Sequence, residues 1–307
     1  MSDDLHPRYL TTLQRGAFDQ KTGQAYRMLE ACCVCPRHCG ANRLEDHRGA
    51  CRSGVLPLVS SFHAHFGEEA PLSGQRGSGT IFFANCNLRC TYCQNYDISQ
   101  HGAGAPRTCD ELASMMLILQ EAGCHNINLV TPSHFVPQII KAIHRAAQQG
   151  LSVPIVYNTS SYDSLASLAI LDGIIDIYLA DLKYGEDDLA LRYSNATSYV
   201  EVSQNAVKEM FRQVGDLKVD ADGVAQRGLM IRHLVLPGGI AGTERVMRFL
   251  AQQISPCTYV NLMSQYRPCY LADQFPALNR RITRKELEEA RHIAQRFGLT
   301  RSKLQNL

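Results

Sequence analysis

Three cysteines in one short stretch are the sequence's clearest indication of chemistry. Cys86, Cys90 and Cys93 stand at the spacing C-x3-C-x2-C, with Tyr92 directly before the last of them. Zinc usually takes paired cysteines with a second pair further along the chain, and no second pair follows closely here. Tightly spaced cysteines also bind [4Fe–4S] clusters, and with three ligands one iron keeps an open position. The stretch therefore predicts a cluster with a working coordination site; zinc or an incidental group of cysteines is the alternative.

A second group of cysteines lies closer to the N-terminus, in the segment "CCVCPRHCGANRLEDHRGAC". It supplies four thiols, from Cys32, Cys35, Cys39 and Cys51, and Cys33 could replace Cys32 in the spacing. A complete set of four is typical of a closed site, such as a structural zinc or iron centre or an auxiliary iron–sulfur cluster. The spacing does not decide between these metals, and a segment without metal is a third alternative.

The remaining composition is that of an ordinary globular protein. The chain has 307 residues, a formal charge of +2 and twelve cysteines. We expect the four dispersed cysteines, Cys109, Cys124, Cys257 and Cys269, to be core or incidental residues. The small net charge gives no support for a nucleic-acid or membrane surface. No signal-peptide pattern and no apolar run near the roughly 20 residues of a membrane helix is evident, so the sequence predicts a cytoplasmic protein.

Six apolar, β-branched runs alternate with amphipathic segments from about residue 80 onward. The runs cover residues 80–84, 126–131, 153–159, 174–182, 229–236 and 258–264. Between them apolar residues recur at i, i+3 and i+4, which is the helical period. This alternation predicts an α/β fold with a parallel sheet and right-handed crossovers. Six units are too few for an eight-fold barrel, so a partial (β/α)6 barrel or an open doubly wound sheet is expected.

Residues 1–75 show little regular periodicity, and we expect a Cys-rich, metal-binding extension packed on the barrel. The core would span residues 76–275, and residues 276–307 would form a helical extension. Thr108 with Glu111, and Thr283 with Glu286, have the spacing of capping boxes. The stretch 63–74, with two histidines and two glutamates, lacks metal-ligand spacing, so it is predicted to be a surface loop.

The motif C-x3-C-x-aromatic-C after the first strand of such a chain resembles that of the radical S-adenosylmethionine (SAM) superfamily. The runs "GSGTIFFANCNLRCTYCQNYDIS", "NINLVTPSHFVPQI" and "DIYLADLKY" are similar to the pyruvate-formate-lyase-activating-enzyme-like branch, and the similarity spans essentially the whole chain. The resemblance implies that Cys86, Cys90 and Cys93 ligate a [4Fe–4S] cluster and that Tyr92 lies near the adenine of SAM. It also implies that the open iron chelates the methionine part of SAM, whose cleavage gives a radical that abstracts hydrogen from a substrate.

The chain departs from that superfamily after its second strand. A Gly-Gly-Glu run usually stands there and holds the amine of SAM, but here the residues are Thr131-Pro132-Ser133-His134. The hydroxyls of Thr131 and Ser133 could accept the ammonium hydrogens. Alternatively, Ser133 caps the following helix.

Other polar residues follow or end the later strands. Asn158 and Ser160 could bind the ribose or carboxylate of SAM, or simply form a turn. Asp181 and Lys183 are two residues apart and face one way; in the resembled enzymes such a pair faces the site, and a structural ion pair is the alternative. Arg232 requires a partner if buried, either Asp181 or the cofactor's carboxylate.

No catalytic residue beyond the cofactor ligands is expected, because the radical itself takes the hydrogen. His134 and His233 are accordingly interpreted as structural.

The substrate is not identified by the sequence. The first hypothesis is a glycyl-radical-type protein activated in trans, and the second is a small molecule or nucleotide. A third is a non-enzymatic protein that relays electrons or metal. An electron donor, flavodoxin or ferredoxin, is implied as a partner, and nucleic acid is not expected.

Overall fold

A computed structural model describes residues 6–299 and 302–304 of the chain. Its centre is a sheet with helices packed on its outer face. The strands within the described residues are β1 (Leu58–His65), β2 (Ser78–Phe83), β3 (Ala105–Pro106), β4 (Ile127–Val130), β5 (Ile155–Thr159), β6 (Ile177–Asp181), β7 (Lys218–Val219), β8 (Ala225–Leu234), β9 (Tyr259–Met263) and β10 (Ser302–Leu304).

The main strands follow the order β10-β9-β8-β6-β5-β4-β2-β1-β3. Strands β2, β4, β5, β6, β8, β9 and β10 pair in parallel, whereas β1 pairs antiparallel with β2 and β3. The sheet does not close, because β3 and β10 lie at opposite edges. The predicted α/β fold and partial barrel are therefore confirmed, and all six apolar runs became parallel strands; β10 was not predicted.

The helices are α1 (Arg8–Gln14), α2 (Phe18–Arg27), α3 (Ala70–Ser73), α4 (Tyr96–Ser99), α5 (Cys109–Glu121), α6 (Val136–Gln148), α7 (Leu165–Leu171), α8 (Asp187–Ser194), α9 (Tyr199–Val214), α10 (Thr243–Phe249) and α11 (Arg284–Arg296). Both predicted capping boxes are present, at the first turns of α5 and α11. Among the described residues, no helix is both long enough and apolar enough to cross a membrane.

Alternation along the strands determines which side chains enter the barrel. Successive residues of a strand point to opposite faces. On β6, Tyr178 and Ala180 belong to the large core beneath the helices, whereas Ile177 and Leu179 belong to a smaller cluster inside the barrel. The next inward position is Asp181, the last residue of β6.

The strand register then brings three polar side chains together. Asp181 lies opposite Arg232 in the β6–β8 pair. Asn158 lies on β5, two residues after Val156 of the inner cluster, and Arg232 lies two residues after Met230 of the same cluster. All three side chains therefore share the inner face, one layer closer to the carboxyl ends of the strands than the apolar cluster.

The N-terminal segment contains regular elements that its weak periodicity did not indicate. Helices α1 and α2 are regular, and Tyr9 and Phe18 are buried in the main core. The Tyr9 hydroxyl donates to the carbonyl of Val153 (3.0 Å), and the ring of Phe18 stacks on His144. Strand β1 also belongs to the sheet. Helix α1 has only seven residues, and β1 shows no regular alternation of buried and exposed positions, so neither presents a clear periodic pattern.

The prediction of a surface loop at residues 63–74 is wrong. His63 and His65 lie on β1, Glu69 is buried, and the side chain of Glu68 is only 9% exposed. Leu72 of α3 is fully buried in the inner apolar cluster. The segment therefore fills the barrel from the amino-terminal side of the strands. The proposed divisions at residues 75 and 275 stay predictions.

Candidate active site

The loop after β2 carries the three closely spaced cysteines at the carboxyl end of the sheet. Asn85 adopts a left-handed conformation (φ 67°), which turns the chain out of the strand. Its amide donates to Ser53 Oγ (3.1 Å), and its backbone N–H donates to the carbonyl of Ile98 (3.0 Å). Asparagine is one of the few residues that tolerate this conformation. These two hydrogen bonds fix the position of Asn85, directly before the first cysteine of the loop.

Each thiol of this loop has a polar neighbour. The backbone N–H of Leu88 donates to Cys86 Sγ (3.3 Å), and the hydroxyl of Ser194 donates to Cys90 Sγ (3.0 Å). Cys93 Sγ lies 3.1 Å from the hydroxyl oxygen of Ser99. Hydrogen bonds to sulfur stabilise thiolate ligands and set the reduction potential of iron–sulfur clusters.

Burial and, to a smaller extent, the neighbouring Cys90 and Cys93 thiols raise the pKa of the Cys86 thiol to about 12. The three sulfurs are therefore close enough to repel one another once ionised. Three thiols on one short loop, each with a polar neighbour, fit a [4Fe–4S] cluster with three protein ligands.

A network of charges lies beside the cysteine loop. Asp181 accepts hydrogen bonds from Arg232 Nε (2.6 Å) and Lys183 Nζ (2.7 Å). Asn158 Oδ1 accepts a third, from Arg232 Nη2 (2.6 Å). Burial alone favours the neutral carboxyl, but Arg232 and Lys183 outweigh it and lower the pKa of Asp181. The network therefore holds three charged groups in place inside the barrel.

Lys183 connects this network to the cysteines. Burial tends to lower its pKa, but Asp181 and the Cys90 thiol together raise it well above its ordinary value. The ammonium is accordingly a permanent positive charge near Cys90. Such a charge stabilises the thiolate form that binds iron.

The turn after β4 is strained at one residue. Thr131 has a left-handed backbone (φ 60°), which is rare for a β-branched side chain. Its N–H donates to the carbonyl of Asn158 (2.9 Å). Strain of this kind costs about 1–3 kcal/mol and is concentrated at functional sites.

Ser133 does not cap the next helix. The residue before α6 is Phe135, and no side chain caps that helix. The Ser133 hydroxyl is buried and lies 3.1 Å from Thr159 Oγ1, whose hydroxyl donates to Asp163. The capping alternative is therefore wrong, and the side chain joins a buried polar network below the strand ends.

The polar residues after β5 are placed differently from one another. The side chain of Asn158 is occupied by Arg232, and the carbonyl of Ser160 accepts from the hydroxyl of Tyr199 (3.0 Å). Ser161, which sequence reasoning missed, is left-handed (φ 60°), and its buried hydroxyl has no hydrogen-bond partner among the described residues. Two strained residues, Thr131 and Ser161, therefore border the same end of the barrel.

Tyr92 is buried in an aromatic cluster. Its hydroxyl donates to Tyr184 Oη (2.8 Å), and its ring meets Tyr266 edge to face at 5.9 Å. Tyr184 in turn lies 2.6 Å from the hydroxyl of Ser194, the donor to Cys90. The aromatic cluster therefore supports the cysteine loop from below, and contact with adenine stays a prediction.

The two histidines are held neutral by their surroundings. Burial lowers the pKa of His134 to about 3, and its Nε2 lies 3.1 Å from the carbonyl of Ala84. Burial also lowers the pKa of His233 to about 4, and this ring lies between the Leu182 carbonyl and Thr243 Oγ1. Both contacts fit structural roles.

The four N-terminal cysteines come together in one region. Burial raises the pKa of Cys35 to about 12, the Arg37 N–H opposes this shift, and the thiols of Cys51, Cys32 and Cys39 add to it. The spare Cys33 points elsewhere, toward the carbonyl of Met28 (4.0 Å). The dispersed Cys109 and Cys124 are buried, Cys257 is exposed and Cys269 is half-buried.

Two glutamates of the barrel interior were not anticipated as site residues. Glu68 lies 3.4 Å from Arg232 Nη1, and burial raises its pKa to about 7. Glu69 accepts from the amide of Asn261 (2.9 Å). Only the fold brings these residues to their partners, because 164 positions separate Glu68 from Arg232 and 192 separate Glu69 from Asn261.

Comparison with known proteins places these observations in a family. The sequence model of the Radical SAM superfamily matches residues 80–254. An uncharacterized protein of Methanocaldococcus jannaschii is 30% identical over 289 residues, which cover 92% of this chain and 79% of that protein. Among solved structures, HydG, a maturase of the [FeFe]-hydrogenase, superposes with a TM-score of 0.49 and 13% identity. The match covers 72% of this chain and about half (49%) of HydG.

Proposed function

The chain belongs to the radical SAM superfamily, and from this premise we propose that it abstracts hydrogen from a substrate with a radical made from SAM. Its cofactors are a [4Fe–4S] cluster and SAM. Held by Cys86, Cys90 and Cys93, the cluster would supply the one electron needed to cleave a carbon–sulfur bond of SAM, with methionine and a 5′-deoxyadenosyl radical as the products. One observation carries the proposal: three thiols, each with a polar neighbour, lie next to a network of largely buried charges at the carboxyl end of the strands.

In this proposal Cys86, Cys90 and Cys93 hold the cluster. The N–H of Leu88 and the hydroxyl of Ser194 reduce the negative charge on two of the sulfurs. Hydrogen bonds of this kind favour the reduced state of a cluster.

The neighbouring polar groups would hold SAM. Asp181 and Asn158 orient the guanidinium of Arg232, which then suits the carboxylate of the cofactor. Thr131 and Ser133 are proposed to hold the ammonium group, and the hydroxyl of Ser133 also lies 3.1 Å from Thr159 Oγ1.

Asp181 and Lys183 form an ion pair (2.7 Å) at the edge of this site. There they would help to position the carboxylate and the ammonium group of SAM. Ser160 and Tyr92 are proposed to contact the ribose and the adenine.

We favour a polypeptide as the substrate, in line with the similarity to the pyruvate-formate-lyase-activating-enzyme-like branch, so the hydrogen would come from a glycyl residue in trans. The second candidate is a small molecule or nucleotide. The charge network favours an enzyme over a relay protein, because a relay does not need an oriented buried guanidinium. A low-potential one-electron donor, flavodoxin or ferredoxin, would supply the electron.

The test is anaerobic reconstitution with iron and sulfide, followed by SAM and dithionite. We expect 5′-deoxyadenosine from the wild type, none from Cys90→Ala, and wild-type amounts from Cys109→Ala, which removes a buried thiol of α5. Circular dichroism should show both variants folded. Absence of 5′-deoxyadenosine from folded, cluster-loaded wild-type protein contradicts the proposal. Transfer of deuterium from a labelled glycyl polypeptide or from a small molecule into 5′-deoxyadenosine separates the two substrate classes.

A further inference from the structure

Arginine side chains from two segments bind the backbone of the cysteine loop, residues 86–93. Arg37 Nε, from the N-terminal cysteine segment, donates to the carbonyl of Asn87 (2.8 Å). Arg89 Nη1, from the loop itself, donates to the carbonyl of Cys86 (2.9 Å), an expected cluster ligand. Two guanidinium groups are therefore held directly on the backbone that carries the first thiol of the loop.

Arg52 is the third arginine of this group. Its side chain donates to the carbonyl of Gln100, the residue directly after helix α4. Arg52 is exposed, whereas Arg37 and Arg89 are half-buried. Burial lowers the pKa of Arg89, and the positive charges of Arg52 and Arg37 lower it further, while nearby thiols oppose this shift. Arg89 is therefore close enough to the other two arginines to be affected by their charge.

The positive charge of these three arginines is not neutralised by carboxylates. Asp46 and Asp97, which belong to the same two segments, lie 3.3 Å from Arg48 and 3.5 Å from His101, respectively. In the part of the chain that the structure describes, no ion pair joins the three arginines to an acidic side chain. Backbone carbonyls satisfy N–H groups but carry no net charge, so surplus positive charge remains at this surface.

The exposed arginine differs from the half-buried ones in what it can act on. Arg37 and Arg89 face the backbone of the loop, where their charge can offset that of a thiolate-bound cluster. The exposed side chain of Arg52 meets the solvent, so its field also acts on molecules outside the protein. A surface charge of this kind attracts an acidic surface and raises its rate of association.

The position of this charged surface selects the kind of partner. The cluster expected on the cysteine loop requires one electron for each SAM that is cleaved. Its donor has to approach closely, because electron transfer slows steeply with distance. Interfaces between redox partners are small, with less than about 1,200 Å² buried in total, so three arginines can form a considerable part of one. An acidic donor protein fits this surface both by charge and by proximity to the cluster.

We propose that Arg37, Arg52 and Arg89 form the docking surface for an acidic electron-donor protein of the flavodoxin type, which reduces the cluster on the cysteine loop. The step moves one electron. The anionic flavin hydroquinone of the donor becomes the neutral semiquinone, and the oxidised cluster becomes the reduced cluster. The inference rests on the proposed function for the presence of a reducible cluster.

The rate of cluster reduction tests the docking surface without SAM. Anaerobic, cluster-loaded protein is mixed with reduced flavodoxin in a stopped-flow instrument, and the bleaching of the cluster absorbance is followed. At low salt we expect Arg52→Glu to lower the second-order rate constant about tenfold, because the substitution reverses a charge that steers association. In about 1 M salt, where the Debye length is about 3 Å, the wild type should react as slowly as the variant. Arg52→Gln should lose less and replaces Arg52→Glu if the latter does not fold.

Dithionite and a distant arginine are the controls. Dithionite is a small reductant that needs no docking surface, so it should reduce the wild type and Arg52→Glu at similar rates. Arg15→Glu makes the same charge change at an exposed residue directly after α1. The contacts of α1 with Val153 and Gly173 place it at the amino ends of β5 and β6, opposite the cysteine loop. Arg15→Glu should therefore react with flavodoxin like the wild type.

Four results overturn the proposal. One is an equal rate of the wild type and Arg52→Glu with flavodoxin, and another is a wild type that dithionite reduces and flavodoxin does not. If Arg52→Glu is slowed with both reductants, Arg52 acts on the cluster itself rather than on docking. If Arg15→Glu is slowed as much as Arg52→Glu, net charge alone explains the effect.

Failure of the proposed function gives a different pattern. If reduction by flavodoxin depends on Arg52 but the reduced protein forms no 5′-deoxyadenosine from SAM, the docking surface survives and the proposed function does not. If 5′-deoxyadenosine forms with dithionite while reduction by flavodoxin is independent of Arg52, the proposed function survives and the docking surface does not. A folded protein without a reducible cluster contradicts both.

Discussion

Replacing Asp181 with asparagine tests the charge network most directly. The carboxylate accepts from Arg232 (2.6 Å) and Lys183 (2.7 Å), and its side chain is only 14% exposed. Removal of one partner of a buried ion pair typically costs about 3–5 kcal/mol, because the other charge is left uncompensated. Arg232 keeps Asn158 and Glu68 as partners, whereas Lys183 loses the carboxylate it pairs with. We therefore expect Asp181→Asn to lower the free energy of unfolding by about 3 kcal/mol, the lower end of that range.

Asp172→Asn is the matched control. Asp172 also bridges two cations, Arg8 and Arg212, each at 2.7 Å, but its side chain is 32% exposed. Solvent screens such a pair, so we expect a loss of about 1 kcal/mol or less. Urea unfolding of anaerobic, cluster-loaded protein at pH 7 measures both variants, provided that the slope m is unchanged.

The pH dependence has a defined sign. The pKa of Asp181 is lowered in the folded state, because Arg232 and Lys183 outweigh the effect of burial. Its contribution is therefore complete above the unfolded pKa of about 3.9 and is lost as the pH falls through the folded value. The difference between wild type and Asp181→Asn should be constant near neutrality and shrink below about pH 4. If Asp181→Asn loses no more stability at pH 7 than Asp172→Asn, the argument from burial is wrong.

Three further substitutions test other parts of the site. Ser194→Ala removes the hydroxyl donor to Cys90 (3.0 Å) and should lower the cluster's reduction potential in an anaerobic redox titration; an unchanged potential would contradict this role. Burial raises the pKa of Glu68 from 4.5 to about 7, so wild-type stability should fall as the pH rises between these values. Glu68→Gln should flatten this dependence of stability on pH and raise the free energy of unfolding by up to about 3 kcal/mol at pH 8. An unaltered slope would contradict the raised pKa of Glu68. Thr131→Gly relieves the left-handed strain (φ 60°) and should raise the free energy of unfolding by about 1 kcal/mol while weakening SAM binding in calorimetry; a loss of stability would show that the threonine is not strained.

Much of the fold was predictable because it is encoded in local patterns. Each parallel strand between residues 78 and 263 contains a short, mostly buried apolar run, and the segments between them have the 3.6-residue helical period. The capping boxes at Thr108 and Thr283 are likewise formed by residues three apart. The cysteine loop was identifiable for the same reason, since its ligands lie within eight residues.

Elements without a strong repeating pattern were missed. Helices α1 and α2 are short, and β1 is half-buried without alternation. The burial of Glu68 and Glu69 was missed as well, because two adjacent glutamates are typical of a solvated loop.

The partners within the site depend on contacts between distant segments. Ser194 reaches Cys90 across 104 residues, and Arg232 reaches Asp181 across 51. Local spacing specifies which side chains share a strand face, but not which strands become neighbours or in which register. The packing of the sheet sets both, and with them the charge on Lys183 and the orientation of Arg232. Short stretches of the chain therefore determine which metal ligands are present. The electrostatic surroundings of these ligands depend on the pairing of distant strands, which no short stretch specifies.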